Sequence, residues 1–261
     1  MDSPRDKKAI SEEEKSPELQ GSAATRFRAV AARANYLAAD RPDVEYAVKE
    51  ICRKMCKPAE GDWQKLIRLG RYLKMSPRCV VEYPWQTEGR LPMAYSDSDW
   101  AGCRTTGKST SGGLVMVGRH LIKSWSRTQD SVTLSSAAEE LVALGKLAAE
   151  VLGVRSMMME WQMADLSSPS QLYADASAAL GIAKRDGAGK LRHINVRSLW
   201  LQEKRLRSEL AFNTIAGEDN PADGLTKHVR QELAQKYASS TGIRLSQDRA
   251  KESLQVSSGG A

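Results

Sequence analysis

The chain has 261 residues, of which 39 are Lys or Arg and 32 are Asp or Glu, so its formal net charge is +7. It has 41% hydrophobic residues, only four cysteines and no run near the roughly 18 apolar residues of a membrane helix. These features exclude membrane-spanning, collagen-like and disulfide-rich classes of protein, and the basic excess favours an acidic partner such as nucleic acid.

The first quarter of the chain divides into a polar lead and a helical segment. Residues 1–24 mix acidic and basic residues without periodicity or the apolar core of a secretory signal. This composition predicts that the lead is disordered and that the protein is intracellular. It does not distinguish a cytoplasmic from a nuclear location. Residues 25–76 carry apolar side chains at helical spacing, beginning with Phe27, Val30, Ala31 and Ala34. The core of so small a segment is marginal alone, so we expect it to pack on another part of the molecule.

Beyond Pro77 the spacing of apolar residues shortens towards two, which indicates strands. The predicted elements are strands at 80–83, 92–97, 112–117 and 121–126, helices at 136–151 and 154–163, a strand at 171–175, helices at 176–184 and 193–209, a strand at 210–216, and a terminal helix that opens at 220–223. This order predicts an α/β domain over residues 80–240, built as a mixed sheet with helices on its faces. Residues 241–261 are polar and are predicted to be a disordered tail.

Four acidic residues occupy the ends of predicted elements. Asp97 and Asp175 end strands, Glu140 lies in the first turn of a helix, and Asp223 opens another helix. In α/β sheets such positions converge at one edge, where ligands bind. Clustered carboxylates repel one another unless a cation lies among them, and hard oxygen ligands select Mg²⁺ or Mn²⁺. The alternative is that these acids merely favour helix N-termini.

Several motifs, in chain order, resemble the ribonuclease H domain of copia-type retrotransposon Pol polyproteins. They are YSDSDWAG (95–102), KSTSGG (108–113), SWS (124–126), LSSAAEELVAL (134–144), LYADASAAL (172–180), RHINVR (192–197) and NPADGLTK (220–227). The helical segment also resembles the stretch between polymerase palm and ribonuclease H in those polyproteins, through YLAADRPDVEYAV (36–48) and GRYLK (70–74). We therefore interpret residues 25–76 as a segment like the thumb or connection of a reverse transcriptase.

The resemblance implies a five-stranded mixed sheet flanked by helices, and hydrolysis of the RNA strand of RNA–DNA hybrids with two Mg²⁺ or Mn²⁺ ions. It assigns catalytic and metal-binding roles to Asp97, Glu140, Asp175 and Asp223. The family usually has Thr-Glu-Ala-Glu-Tyr where this chain reads Ala-Ala-Glu-Glu-Leu at 137–141, so Glu139 competes with Glu140. A capping box from Ser136 to Glu139 would fold Glu139 back and leave Glu140 for the site.

A basic segment follows the third of these acids. Residues 184–209 contain eight positive and three negative residues, net +5, together with Trp200. Basic side chains suit contacts with the backbone of a hybrid, although an ordinary solvated helix with Trp200 packed inward is the alternative. The residues predicted to bind nucleic acid are Lys108, Lys190, Arg192, His193, Arg197 and Lys204.

Two further hypotheses belong to other classes of function. Residues 102–109 match the phosphate-loop pattern of NTPases, which requires a following helix, whereas residues 110–117 read as a strand. A transposon-derived remnant that binds nucleic acid without cutting it is the other alternative. The chain contains no Asp-Asp pair, which the family polymerase needs, so we expect no polymerase activity. A reverse transcriptase polymerase domain is then a possible partner, and the oligomeric state stays open.

Overall fold

A computed structural model describes residues 16–87, 91–103, 105–163, 167–187 and 196–248. Within these ranges, no helix is both long and apolar enough to cross a lipid bilayer.

The helical segment folds around a core of its own. Its helices are α1 (Gly21–Ala38), α2 (Glu45–Cys52) and α3 (Glu60–Met75), with a 3-10 turn at Pro42–Val44 before α2. Buried side chains recur every three or four residues along α1, which is the spacing that places them on one face. This core also contains Val48, Ile51, Leu66 and Leu69.

The predicted lead is too long by several residues. Helix α1 begins at Gly21 rather than at Thr25. The backbone amide of Leu19 donates to the carbonyl oxygen of Pro58 at 2.8 Å, and Ser16 Oγ accepts from the amide of Gly61 at 2.8 Å. Residues 16–20 therefore pack on the helical segment, while 1–15 lie outside the described residues.

The rest of the chain forms the expected five-stranded mixed sheet. Its strands are β2 (Pro92–Asp99), β3 (Thr110–Val117), β4 (His120–Thr128), β5 (Ser170–Ala174) and β6 (Leu210–Thr214), in the order β4-β3-β2-β5-β6. The β2–β3 and β3–β4 pairs are antiparallel, whereas β2–β5 and β5–β6 are parallel. The predicted mixed α/β class is confirmed.

Alternating side chains along the strands build two cores, one on each face of the sheet. On one face, Val115 and Leu172 join residues of α4 (Ser136–Glu160), α5 (Ser177–Lys184) and α6 (Val196–Leu206). On the other face, Leu114 and Met116 pack near α7 (Gln231–Ser240). Trp200 packs partly buried against the first core, as the alternative for this residue predicted.

Three element boundaries differ from the prediction. Helix α4 runs without a break through Gly153, because a glycine lowers helix propensity by only about 1 kcal/mol. The segment that carries Asp223 is a 3-10 turn, Pro221–Leu225, and the terminal helix α7 begins only at Gln231.

The third difference concerns the tail. Strand β1 (Arg78–Val81) lies outside the main sheet and pairs antiparallel with β7 (Ile243–Ser246). The prediction of a disordered tail from residue 241 is therefore wrong for β7. The polar composition of 241–261 hid this strand because only Ile243 and Leu245 turn towards the second core.

A candidate metal centre of four carboxylates

Two of the predicted acids meet because they follow neighbouring parallel strands. Tyr95 on β2 pairs with Tyr173 on β5, and their rings stack with centroids 5.1 Å apart. Asp97 and Asp175 come two residues after these tyrosines, so they lie level with each other at the same edge of the sheet. Parallel strands thus bring together side chains that are far apart in sequence.

Asp223 reaches the same place from the 3-10 turn, and Asn220 fixes that turn. The Asn220 side chain donates to the carbonyl oxygen of Ser96 at 2.9 Å and accepts from the amide of Ala222 at 3.2 Å. One carboxylate oxygen from each of Asp97, Asp175 and Asp223 lies within 4.8 Å of the others.

Glycine at position 112 allows the turn to approach the sheet. Gly112 is the β3 residue directly opposite Asp97. A Cβ atom there would lie 2.7 Å from Leu225 Cβ and 2.8 Å from Thr226 Cγ2. Any larger residue would therefore push against the turn that carries Asp223.

Glu140 faces this cluster, whereas Glu139 faces a different part of the sheet. Burial raises the pKa of Glu140 to about 8, and the charges of Asp97 and Asp175 act in the same direction. Burial also raises the pKa of Glu139. Both glutamates have a hydrogen bond with Ser98, but Glu139 has a further one with Ser109 and feels the charge of Asp99 instead of those of Asp97 and Asp175. Glu140 thus lies close enough to Asp97 and Asp175 for their charges to act on it, but outside the group of three acids whose oxygens lie within 4.8 Å of one another.

The helix cap that we predicted is shifted by one residue. Ser135, not Ser136, is the N-cap of α4, and its hydroxyl accepts from the amide of Ala138. A capping box would need an acidic residue at 138, so Glu139 does not fold back on the cap. The prediction placed Glu140 towards the site for the wrong reason.

Asp97 is the most buried of the four acids, with 2% of its surface exposed. Burial, together with the charges of Asp223 and Asp175, raises its pKa to about 7. A hydrogen bond from the Thr226 hydroxyl and the charge of Lys227 act in the opposite direction. Asp97 is therefore held in a site where its charged form needs a cation.

Lys227 supplies one positive charge to the cluster. Its Nζ lies 2.7 Å from Asp223 Oδ1 and 3.9 Å from Asp97 Oδ2. Burial lowers the pKa of Lys227, but the hydrogen bond to Asp223 and the carboxylate charges outweigh burial and raise it.

The donor set fits a hard divalent cation. All four side chains offer carboxylate oxygens, the ligands that Mg²⁺ and Mn²⁺ prefer. Glu140 Oε2 is buried without a hydrogen-bond partner among the described residues, which fits an oxygen that a cation would satisfy, although Glu139 Oε2 shares this feature.

Asn220, Thr226 and Lys227 belong to the motif NPADGLTK, but the sequence alone assigned no role to them. Asn220 is a preferred residue type before a helical turn, and Lys227 lies four residues after Asp223. These two signals were available. The hydrogen bond from Thr226 to Asp97 joins residues 129 positions apart in the sequence, so no local sequence pattern predicts it.

The structure describes only some of the residues that are predicted to bind nucleic acid. Lys190, Arg192 and His193 lie outside the described residues, and Arg197 falls in α6 with its side chain outside them. Lys204 pairs with Glu209 at 3.0 Å, and Lys108 lies in the loop before β3. Their role in binding stays a prediction.

The phosphate-loop hypothesis is contradicted. Residues 110–117, where an NTPase would have a helix, form strand β3. Without helix N-terminal amides, residues 102–109 lack the element that holds phosphates in that class.

No family model matches the chain. The Retrovirus-related Pol polyprotein from transposon RE1 of Arabidopsis thaliana is 30% identical over 220 residues, which cover 84% of this chain and 15% of that protein. The corresponding polyprotein from transposon TNT 1-94 of Nicotiana tabacum is 27% identical over 191 residues, covering 72% and 14%.

Among solved structures, the N-terminal RNase H domain of a Mycobacterium tuberculosis protein matches with a TM-score of 0.38 and 14% identity, covering 58% of this chain and 99% of that one. The chain spans only about 15% of the length of the Pol polyproteins it matches.

Proposed function

We propose that this chain, whose relatives include the Pol polyproteins of copia-type transposons, is a ribonuclease H that hydrolyses the RNA strand of RNA–DNA hybrids. The observation that carries this proposal is the acidic cluster, in which three carboxylate oxygens from β2, the end of β5 and the 3-10 turn lie within 4.8 Å of one another.

Asp97, Glu140, Asp175 and Asp223 would hold the metal. When bound, two divalent ions would activate the attacking water and stabilise the leaving 3′ oxygen of the RNA. The chain's own residues keep the ligands in place, since Thr226 donates to Asp97 and Asn220 fixes the turn beside Ser96.

The proposed substrate is an RNA–DNA hybrid, and a reverse transcriptase polymerase domain is the proposed neighbour inside the cell. The net charge of +7 supports an anionic partner. We include Lys190, Arg192, His193, Arg197 and Lys204 in the hybrid-binding surface on the strength of the basic segment, and Lys108 as a basic residue of the loop before β3.

The test is cleavage of a hybrid labelled on the RNA strand, in Mg²⁺ or Mn²⁺, by the wild-type chain and by Asp175→Asn. We expect metal-dependent cutting of the RNA strand by the wild type and at least a hundredfold loss in the variant. Asp186→Asn is the matched control, because Asp186 is an exposed acid that pairs with Arg205 at 2.6 Å outside the cluster.

A folded wild-type protein that binds the hybrid but does not cut it would overturn the proposed activity. It would favour an inactive transposon-derived fragment that binds nucleic acid. Cutting by wild type and Asp175→Asn alike would instead mean that another site, or a contaminant, carries the activity.

A further inference from the structure

Lys227 is the cation nearest to the candidate metal ligands among the described residues. Its backbone amide donates to the carbonyl oxygen of Asp223 at 3.3 Å, and its Nζ lies 2.7 Å from Asp223 Oδ1. Asp97 Oδ2 is 3.9 Å from the same Nζ, and Asp175 also acts on Lys227 by its charge. A single ammonium group therefore faces three of the four acids.

The position of Lys227 conflicts with a divalent ion at the same oxygens. Asp223 and Asp97 would be ligands, and an ammonium group held against them repels an incoming dication. Lys227 can leave, because about half of its side chain is exposed and its four-carbon stem is flexible. Asp97 is nearly inaccessible, so its carboxylate cannot turn to solvent instead.

From this geometry, and resting on the proposed function, we infer that Lys227 is an internal counter-ion. It occupies the carboxylates of Asp97 and Asp223 in the metal-free protein, and divalent metal must displace it. Lys227 thus stabilises the empty site at the expense of metal affinity, and so sets the metal concentration at which the site fills.

The chain offers matched variants for a test. Lys227→Met removes the charge and keeps the stem, and Lys227→Arg keeps the charge. Lys236→Met is the control, because Lys236 is equally half-exposed and pairs with an aspartate, Asp219, at 2.6 Å outside the acidic cluster.

The measurements are calorimetric titration of Mn²⁺ into chelator-treated protein and thermal melting with and without Mn²⁺. We expect Lys227→Met to bind Mn²⁺ at least threefold tighter than the wild type and to melt at a lower temperature when metal-free. Lys227→Arg and Lys236→Met should keep the wild-type affinity for Mn²⁺.

Each outcome decides the inference. Tighter binding by Lys227→Met supports it, including the case in which only that variant binds measurably. Unchanged or weaker binding by Lys227→Met, beside a wild type that binds Mn²⁺, overturns the counter-ion role and leaves the ribonuclease proposal standing. If neither protein binds Mn²⁺, the counter-ion role is overturned, whereas the proposed function is decided separately by whether the wild type cuts the hybrid.

Discussion

At the scale of single residues, the burial of Asp97 makes its charge unfavourable for folding and favourable for metal binding. Its raised pKa, about 7, means that ionised Asp97 destabilises the metal-free fold as the pH rises above about 4. We predict that Asp97→Asn abolishes hybrid cleavage, leaves hybrid binding intact or stronger, and raises the melting temperature of the metal-free protein at pH 8.

Asp99→Asn is the matched control for this prediction, because Asp99 also ends β2 but is not one of the three acids whose oxygens lie within 4.8 Å of one another. We expect it to retain most cleavage. Equal loss of cleavage and of hybrid binding in Asp97→Asn, or a lower melting temperature at pH 8, would contradict the role assigned to Asp97.

The sequence identified the acids but not the residues that arrange them. An acid at the end of a predicted strand is a local signal, so Asp97 and Asp175 could be selected from the pattern and the resemblance. The bond from Asn220 to Ser96 crosses 124 positions, and nothing local predicts it. The choice between Glu139 and Glu140 depended on where α4 begins, and helix ends are uncertain by a residue or two.

At the scale of elements, the contact between β3 and the 3-10 turn decides whether Asp223 reaches the site. Gly112→Ala would place a methyl group 2.7 Å from Leu225 Cβ. We predict a loss of about 1–3 kcal/mol in the free energy of unfolding, typical of overpacking, and at least a tenfold loss of cleavage as Asp223 moves away.

Gly145→Ala is a suitable comparison, because a Cβ at this position of α4 meets no atom within 4 Å. It should stabilise the helix by up to about 1 kcal/mol and leave cleavage unchanged. Urea unfolding and the hybrid assay on both variants check this prediction. Full activity in Gly112→Ala would show that the turn can move without disturbing the site.

Sequence periodicity predicted the five strands of the sheet because the spacing of apolar residues shortens towards two after Pro77. It missed the pairing of β1 with β7, because each strand has only four residues and the partners are more than 160 positions apart. It also missed the 3-10 form of Pro221–Leu225, since Asn-Pro opens an α-helix or a 3-10 turn equally well.

At the scale of the whole molecule, the helical segment packs on the α/β domain, as its small core required. Several of the contacts are polar: Ser124 of β4 donates to Glu45, and Lys49 donates to Thr110 of β3 at 2.7 Å. Arg53 contacts Cys103 in the loop after β2. Hydropathy patterns predict that a face is buried, but they carry no information about which polar groups meet there.

Glu45 makes this contact sensitive to pH. Burial raises its pKa to about 7, although the hydrogen bond from Ser124 acts in the opposite direction. Its Oε2 atom has no hydrogen-bond partner among the described residues. A carboxyl group whose pKa is raised on folding binds more protons in the native state, so its contribution to stability is present below about pH 4.5 and is lost as the pH rises through 7.

We therefore predict that the free energy of unfolding falls between pH 5 and pH 8 by more in the wild type than in Glu45→Gln, with a difference of the order of 2 kcal/mol. Gln keeps an oxygen for Ser124, and any cost of burying its amide is the same at both pH values, so the pH dependence isolates the charge. Urea unfolding in chelator at both pH values measures it, with Glu60→Gln, at an exposed position in the first turn of α3, as the control. If wild type and Glu45→Gln lose stability equally, Glu45 is ionised throughout, and the contact between the helical segment and β4 does not depend on its protonation.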